Sequence, residues 1–181
     1  MKLFFKHEAS LRCERTVMAE LKKLGLHYSN VVFGLGEAEI IEEVPSAKKE
    51  ALRKALKKSG IELMAGKRSF LVEKIKNTMT GLARHPEKHP GTNFSTYLSQ
   101  KLGHNYGYLA NLFSASQGLT IEHFYITHKV IRVKELLLQD GLSISQIALR
   151  MGYSSVAHLS NQFRKITGIS PSSYKKINGK K

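Results

Sequence analysis

The period of the hydrophobic positions changes along this chain. Over the first third, short blocks of strand-like and helical spacing alternate. Residues 2–9, KLFFKHEA, read as a first strand. Cys13, Val17, Leu21 and Leu24 then recur at the spacing of one helical face. Ser10 can cap that helix and Gly25 can end it. Residues 26–34 and 37–44 read as two strands joined around Gly34 and Gly36. Pro45 and Ser46 open a second helix, with Leu52, Ala55 and Leu56 inward and Gly60 as its stop. Residues 61–66 supply a last short strand. This βαββαβ order predicts a ferredoxin-like sandwich over residues 1–66, two helices on one antiparallel sheet.

Beyond residue 66 the pattern is helical throughout, so the chain is read as an α+β domain followed by an all-α domain, residues 67–181. SFLVEKIKNTMTGLAR is amphipathic, and HPEKHPGTN breaks it with two prolines and a glycine. After Asn93 the sequence repeats itself at a spacing of 50 positions. Phe94 falls on Ile144, Tyr97 on Ile147, Leu98 on Ala148, Leu109 on Leu159, Asn111 on Asn161, and Phe113 on Phe163. Gly118 falls on Gly168, Leu119 on Ile169, and Phe124 on Tyr174. The cap positions match too: Asn93 with Ser143, Asn105 with Ser155, Thr120 with Ser170. One structural unit is used twice.

The second copy defines the unit. Ser143 and Gln146 form a capping-box pattern, Ile144, Ile147, Ala148 and Met151 form an apolar face, and Gly152 ends the helix. Ser154 or Ser155 caps the next helix, whose Leu159, Phe163 and Ile166 point inward, and Gly168 closes it. Ser170 caps a third helix with Pro171 at its first position, where a missing N–H costs nothing. Two short helices on a tight turn, braced by a third, are a helix-turn-helix. The second helix of such a unit enters the major groove, so its outward side chains must be small or hydrogen-bonding. Val156, Ala157, Ser160 and Asn161 meet that need, with Arg164 and Lys165 suited to phosphates. Between the copies, TIEHFYITHKVIRVKELLLQDG reads as one helix capped by Thr120 and stopped at Gly141, about 30 Å long. It is a candidate spacer for two recognition helices in neighbouring grooves about 34 Å apart.

Charge strengthens this reading. The chain carries 29 Lys and Arg against 14 Asp and Glu. Residues 1–66 hold 12 basic and 9 acidic side chains, and residues 67–181 hold 17 and 5. So lopsided a block favours a polyanion through Coulomb attraction and counterion release. No apolar run reaches membrane-span length, and residues 1–16 lack a signal-peptide core. One cysteine excludes an internal disulfide and fits a cytoplasmic, nucleoid-associated protein.

The motif A-x-x-x-G-Y-S-S-x-x-H-L-S-x-Q-F-R-K-x-T-G-x-S-P-S-x-Y, Ala148 through Tyr174, resembles the DNA-binding domain of AraC/XylS-family bacterial transcription regulators. The resemblance implies seven helices with two helix-turn-helix units, and base reading by Val156, Ala157, Ser160 and Asn161 in the second and by Gly107, Ala110 and Asn111 in the first. It implies phosphate contacts at Arg164, Lys165, Ser155 and Asn105. The first unit departs from the family pattern. Gly107 offers no side chain, Ala110 only a methyl group, and Ser114 stands where relatives often carry Lys. Weaker base reading is therefore expected from it, while Tyr106 and Tyr108 either touch the DNA backbone or pack. Double-stranded DNA is the expected partner, with RNA polymerase, a second copy of the chain and an unidentified effector as further candidates. The family's usual style is activation.

Residues 1–66 resemble a heavy-metal-associated ferredoxin-like domain in which SLRCERTV occupies the place of the metal-binding Cys-x-x-Cys. Thr16 replaces the second cysteine, and Cys13 lies on an apolar helix face, so a packed thiol and no bound metal or cofactor are expected. His85 and His89 flank a proline loop rather than a helical metal face. His158, part of the motif, is read as packing or phosphate contact. GLGE at residues 34–37 lacks the strand–loop–helix context of a phosphate loop and reads as a hairpin turn. Some DNA-repair methyltransferases join this domain type to an acceptor cysteine. Cys13 lacks the accompanying cysteines and an activating base, so no enzyme is expected. The competing reading is a metal- or ligand-binding protein whose basic domain binds DNA weakly.

Overall fold

The structure, a computed structural model, describes residues 1–6, 11–32, 37–86, 93–139 and 141–179. The chain divides into two compact units, Met1–Glu73 and Lys74–Lys181. In the first, β1 (Lys2–Lys6), α1 (Leu11–Lys23), β2 (Tyr28–Val32), β3 (Glu37–Ile40), α2 (Ser46–Lys57) and β4 (Glu62–Leu63) follow the expected βαββαβ order. They form an antiparallel sheet of order β2-β3-β1-β4. This is the ferredoxin-like arrangement.

Alternation along β1 places its side chains. Leu3 and Phe5 enter a core with Val17 and Leu21 of α1 and Leu52 and Leu56 of α2. Phe4, between them, meets Phe70 with ring centroids 5.0 Å apart. Phe70 belongs to α3 (Lys67–Arg84), whose Glu73 holds Lys6 in an ion pair at 2.8 Å.

The strands are shorter than the sequence reading. β3 ends at Ile40 because the chain turns outward there: Ile41 is 69% exposed, and the Glu42 carboxylate accepts the His27 backbone N–H at 3.0 Å. Ser10 and Gly34–Gly36, where a helix cap and a hairpin turn are expected, lie outside the described residues.

The second unit is helical. After α3 come α4 (Phe94–Leu102), α5 (Tyr106–Gln117), α6 (Ile121–Leu138), α7 (Ile144–Arg150), α8 (Val156–Thr167) and α9 (Pro171–Asn178). Helices α4, α5 and α6 begin 50 residues before α7, α8 and α9 respectively. The repeat extends to side-chain packing. Phe113 meets Phe124 at 5.4 Å and 72° in the first copy, and Phe163 meets Tyr174 at 5.6 Å and 72° in the second. Leu109 and Phe113 are buried in one copy as Leu159 and Phe163 are in the other.

Two expected features differ. Asn93 occupies the N-cap position of α4, but its side chain makes no capping bond. Helix α6 ends at Leu138, before the expected stop, because Gln139 is already extended. Gly141, at φ 93°, turns the chain towards α7 in a left-handed conformation that favours glycine.

Candidate nucleic-acid interface

The second unit is built from its caps. Ser143 Oγ accepts the Gln146 N–H at 3.2 Å while Gln146 Oε1 accepts the Ser143 N–H at 2.8 Å, a reciprocal capping box. After Gly152 the chain re-enters helix at Ser155, which of the two candidate serines is the cap: its Oγ accepts the His158 N–H at 3.0 Å. Ser154 instead pairs its hydroxyl with His158 Nδ1 at 3.0 Å. The His158 ring stands edge-on to Tyr153 at 5.3 Å, a packing role. The Tyr153 hydroxyl donates to Gln162 Oε1 at 2.8 Å, tying the turn to the middle of α8.

These contacts fix which face of α8 is free. Leu159 and Phe163 are buried, while Val156, Ala157, Asn161, Arg164 and Lys165 are exposed and Ser160 is half-buried. Among the described residues, neither Arg164 nor Lys165 has an ion-pair partner. Small and hydrogen-bonding groups thus lead the outer face of α8, and two cations follow in its last turns.

The first unit has the same frame with a poorer surface. Asn105 Oδ1 accepts the Gly107 N–H at 2.8 Å and caps α5. Asn111 and Gly107 are exposed, Ala110 is half-buried, and Ser114 is half-buried. Tyr108, 45% exposed, lies 5.5 Å from the His104 ring. Tyr106 packs inward: its ring meets Phe94 at 6.4 Å, and its hydroxyl donates to the Glu122 carboxylate. Burial, that hydrogen bond and the Glu122 charge all push the Tyr106 phenol far above its usual range. Burial alone would raise the Glu122 carboxyl, but hydrogen bonds from Tyr106, its own backbone and Thr120 outweigh it and hold the group below the ordinary range.

Spacer α6 has 18 residues, about 27 Å. Val130, Val133, Leu136 and Leu137 on it join the core of the second unit. Lys129 is buried among them, its Nζ 4.0 Å from the Tyr153 ring centroid, and burial lowers its ammonium to about 8.

Comparison with known proteins agrees with this geometry. The family model described as Helix-turn-helix domain matches residues 98–177. The C-terminal domain of AraT, a response regulator from Geobacillus stearothermophilus, is similar with a TM-score of 0.55 at 21% identity, over 64% of this chain and 92% of that one. A probable AraC family transcriptional regulator from Rhodopseudomonas palustris CGA009 gives 0.52 at 16% identity, over 61% and 98%. The helical unit shares the helix-turn-helix fold of these proteins. A DNA-binding transcriptional dual regulator from Escherichia coli K-12 shares it, with a TM-score of 0.50 at 18% identity over 60% of this chain and 97% of that one. No curated protein matches the sequence.

Sequence reasoning on the helical unit missed Glu122, Lys129 and Gln162. The signal for Glu122 was present in the repeat, because Ser172 stands at the matching position. In the N-terminal unit, no group of three or more His, Cys, Asp or Glu residues able to hold a metal occurs among the described residues. Cys13 is half-buried and packs against the core. His89 lies outside the described residues.

Proposed function

We propose that this chain is a sequence-specific, double-stranded DNA-binding transcription regulator of the AraC/XylS type, acting as an activator. The carrying observation is the outer face of α8, where Val156, Ala157, Ser160 and Asn161 precede Arg164 and Lys165 on a helix whose Gln162 is held by the Tyr153 hydroxyl. Helix α8 reads base edges through the first four and neutralises phosphate through the last two. Helix α5, with Gly107, Ala110 and Asn111, takes the adjacent major groove and reads less. Ser155 and Asn105 spend one oxygen each on capping, and retain donors that can reach phosphate. The net charge of +15 supplies the sequence-independent attraction.

The test is selection from a randomised duplex pool at two salt concentrations. Two half-sites one helical turn apart, about 10 base pairs, are the expected result. Enrichment of a single half-site would make α5 a clamp. Binding without any enrichment that collapses at the higher salt would overturn the reading.

A further inference from the structure

The first helix-turn-helix unit carries a cleft of about 480 Å³ lined by Asn93, Phe94, Ser95, Tyr106, Glu122, Tyr125 and Ile126. Three of these are aromatic. Phe94 lies 5.4 Å from Tyr125, tilted at 40°, and 6.4 Å from Tyr106, edge-on at 79°, so the rings are not stacked face to face. The one ionisable carboxylate of the lining is Glu122, in the first turn of α6, where the helix dipole favours negative charge. Aromatic faces carry negative quadrupole potential and attract cations, most of all weakly hydrated alkylated ammonium groups.

The second copy shows what the fold itself requires at these positions. Fifty residues on, Phe94, Tyr106, Glu122, Tyr125 and Ile126 become Ile144, Val156, Ser172, Lys175 and Lys176. The same frame of helices forms there with no ring and no carboxylate at those places. Packing of the unit therefore does not explain three rings and an acid together. Nor does DNA contact, since a carboxylate opposes phosphate.

We propose that this cleft binds a small organic cation of the quaternary or alkylated ammonium class, with the rings of Phe94, Tyr106 and Tyr125 around the alkyl groups and Glu122 as the counter-charge. The Tyr106 hydroxyl already donates to Glu122 and holds the carboxylate in the cleft. One cation is already close, Lys129 Nζ at 5.8 Å from the Tyr125 ring centroid, so Phe94, Tyr106 and Glu122 carry most of the attraction; charge farther off is screened beyond about 8 Å at physiological ionic strength. The site is independent of the DNA-reading proposal: either can fail alone.

The test uses the full chain without DNA. Choline is titrated against it at constant ionic strength, with 3,3-dimethyl-1-butanol as the neutral isostere, and ring signals are followed by NMR. Saturable shifts at Phe94, Tyr106 and Tyr125 are expected with choline, and affinity about tenfold weaker for the alcohol. Glu122→Gln keeps an acceptor for Tyr106 and should weaken choline about tenfold while leaving the alcohol unchanged. Should that variant unfold, Ile126→Lys places a tethered ammonium at the cleft, using the residue type that the second copy carries at the matching position, Lys176, and should abolish choline binding with the fold intact. Absence of saturable shifts with choline, equal binding of the two probes, or undiminished choline binding by Ile126→Lys would each overturn the proposal.

Discussion

The ammonium of Lys129 stands 4.0 Å from the centroid of the Tyr153 ring, within the buried face of α6. Two effects compete there. Burial disfavours the charge and lowers the amine to about 8, a cost of about 3 kcal/mol at neutral pH. The ring contact offsets at most about two-thirds of it, given about 2 kcal/mol for a desolvated cation–π pair. Lys129→Met is therefore expected to stabilise the domain at pH 7 by about 1–3 kcal/mol. Between about 8 and 10.5 the folded state has released the proton that the unfolded chain still binds. Wild-type stability then rises with pH, and the advantage of the variant shrinks. Thermal melts of both proteins at several pH values would show curves that converge upward. Parallel curves, or a less stable variant, would mean that the ring contact outweighs burial.

The two copies also differ in how their first helices are capped. Ser143 takes part in a reciprocal capping box, while Asn93 makes no side-chain cap. Ser143→Ala should cost about 1 kcal/mol, and Asn93→Ala only a few tenths. Denaturant unfolding of the two variants decides it, and equal losses would refute the distinction.

On α8, base reading and phosphate neutralisation should separate. Asn161→Ala should relax base preference at one position, a loss of about 1–3 kcal/mol of discrimination. Arg164→Ala should weaken binding to all sequences alike and lower the slope of log affinity against log salt by about 0.9. Uniform weakening by both variants, measured on matched and mismatched duplexes, would refute the assigned roles.

The first unit should tolerate change at its base-reading positions better than at its cap. Asn111→Ala should alter specificity less than Asn161→Ala does. A Cβ on Gly107 would stand 3.1 Å from Asn105 Oδ1, so Gly107→Ala pushes on the group that caps α5. Loss of that cap costs about 1 kcal/mol, and alanine in place of a helical glycine returns about 0.5–1 kcal/mol, so a net loss of about a few tenths of a kcal/mol is expected. A Gly107→Ala protein more stable than wild type would show that the Asn105 side chain moves aside without loss.

Much of this was legible in the residues. Ser143, Ser155, Thr120 and Ser170 announced four helix starts because a side-chain oxygen three residues ahead of an amide is a local device. The repeat at 50 positions was visible in paired apolar residues, and its ring pairs, Phe113 with Phe124 and Phe163 with Tyr174, follow from the same register. Strand ends were less legible: the alternation of residues 37–40 breaks at the Ile40–Ile41 pair, where Ile41 turns to solvent, but the apolar Ile41 and Val44 still read as strand. The environment of Lys129 was not legible, and that of Glu122 showed only as a departure from Ser172 at the matching position of the repeat. An interior lysine reads as a surface residue until Tyr153 arrives from the turn between α7 and α8, and Glu122 reads as a routine first-turn acid until the Tyr106 hydroxyl reaches it.

The N-terminal sheet has one further consequence. Its outer strands are a short β4 of two residues and a β2 whose register against β3 slips between Tyr28 and Asn30. A straight run of unpaired backbone groups is the template on which sheets recruit foreign strands and grow into fibrils, and bulged or very short borders interrupt that growth. This border geometry favours a protein that stays dispersed at the concentrations a titration or an NMR sample demands.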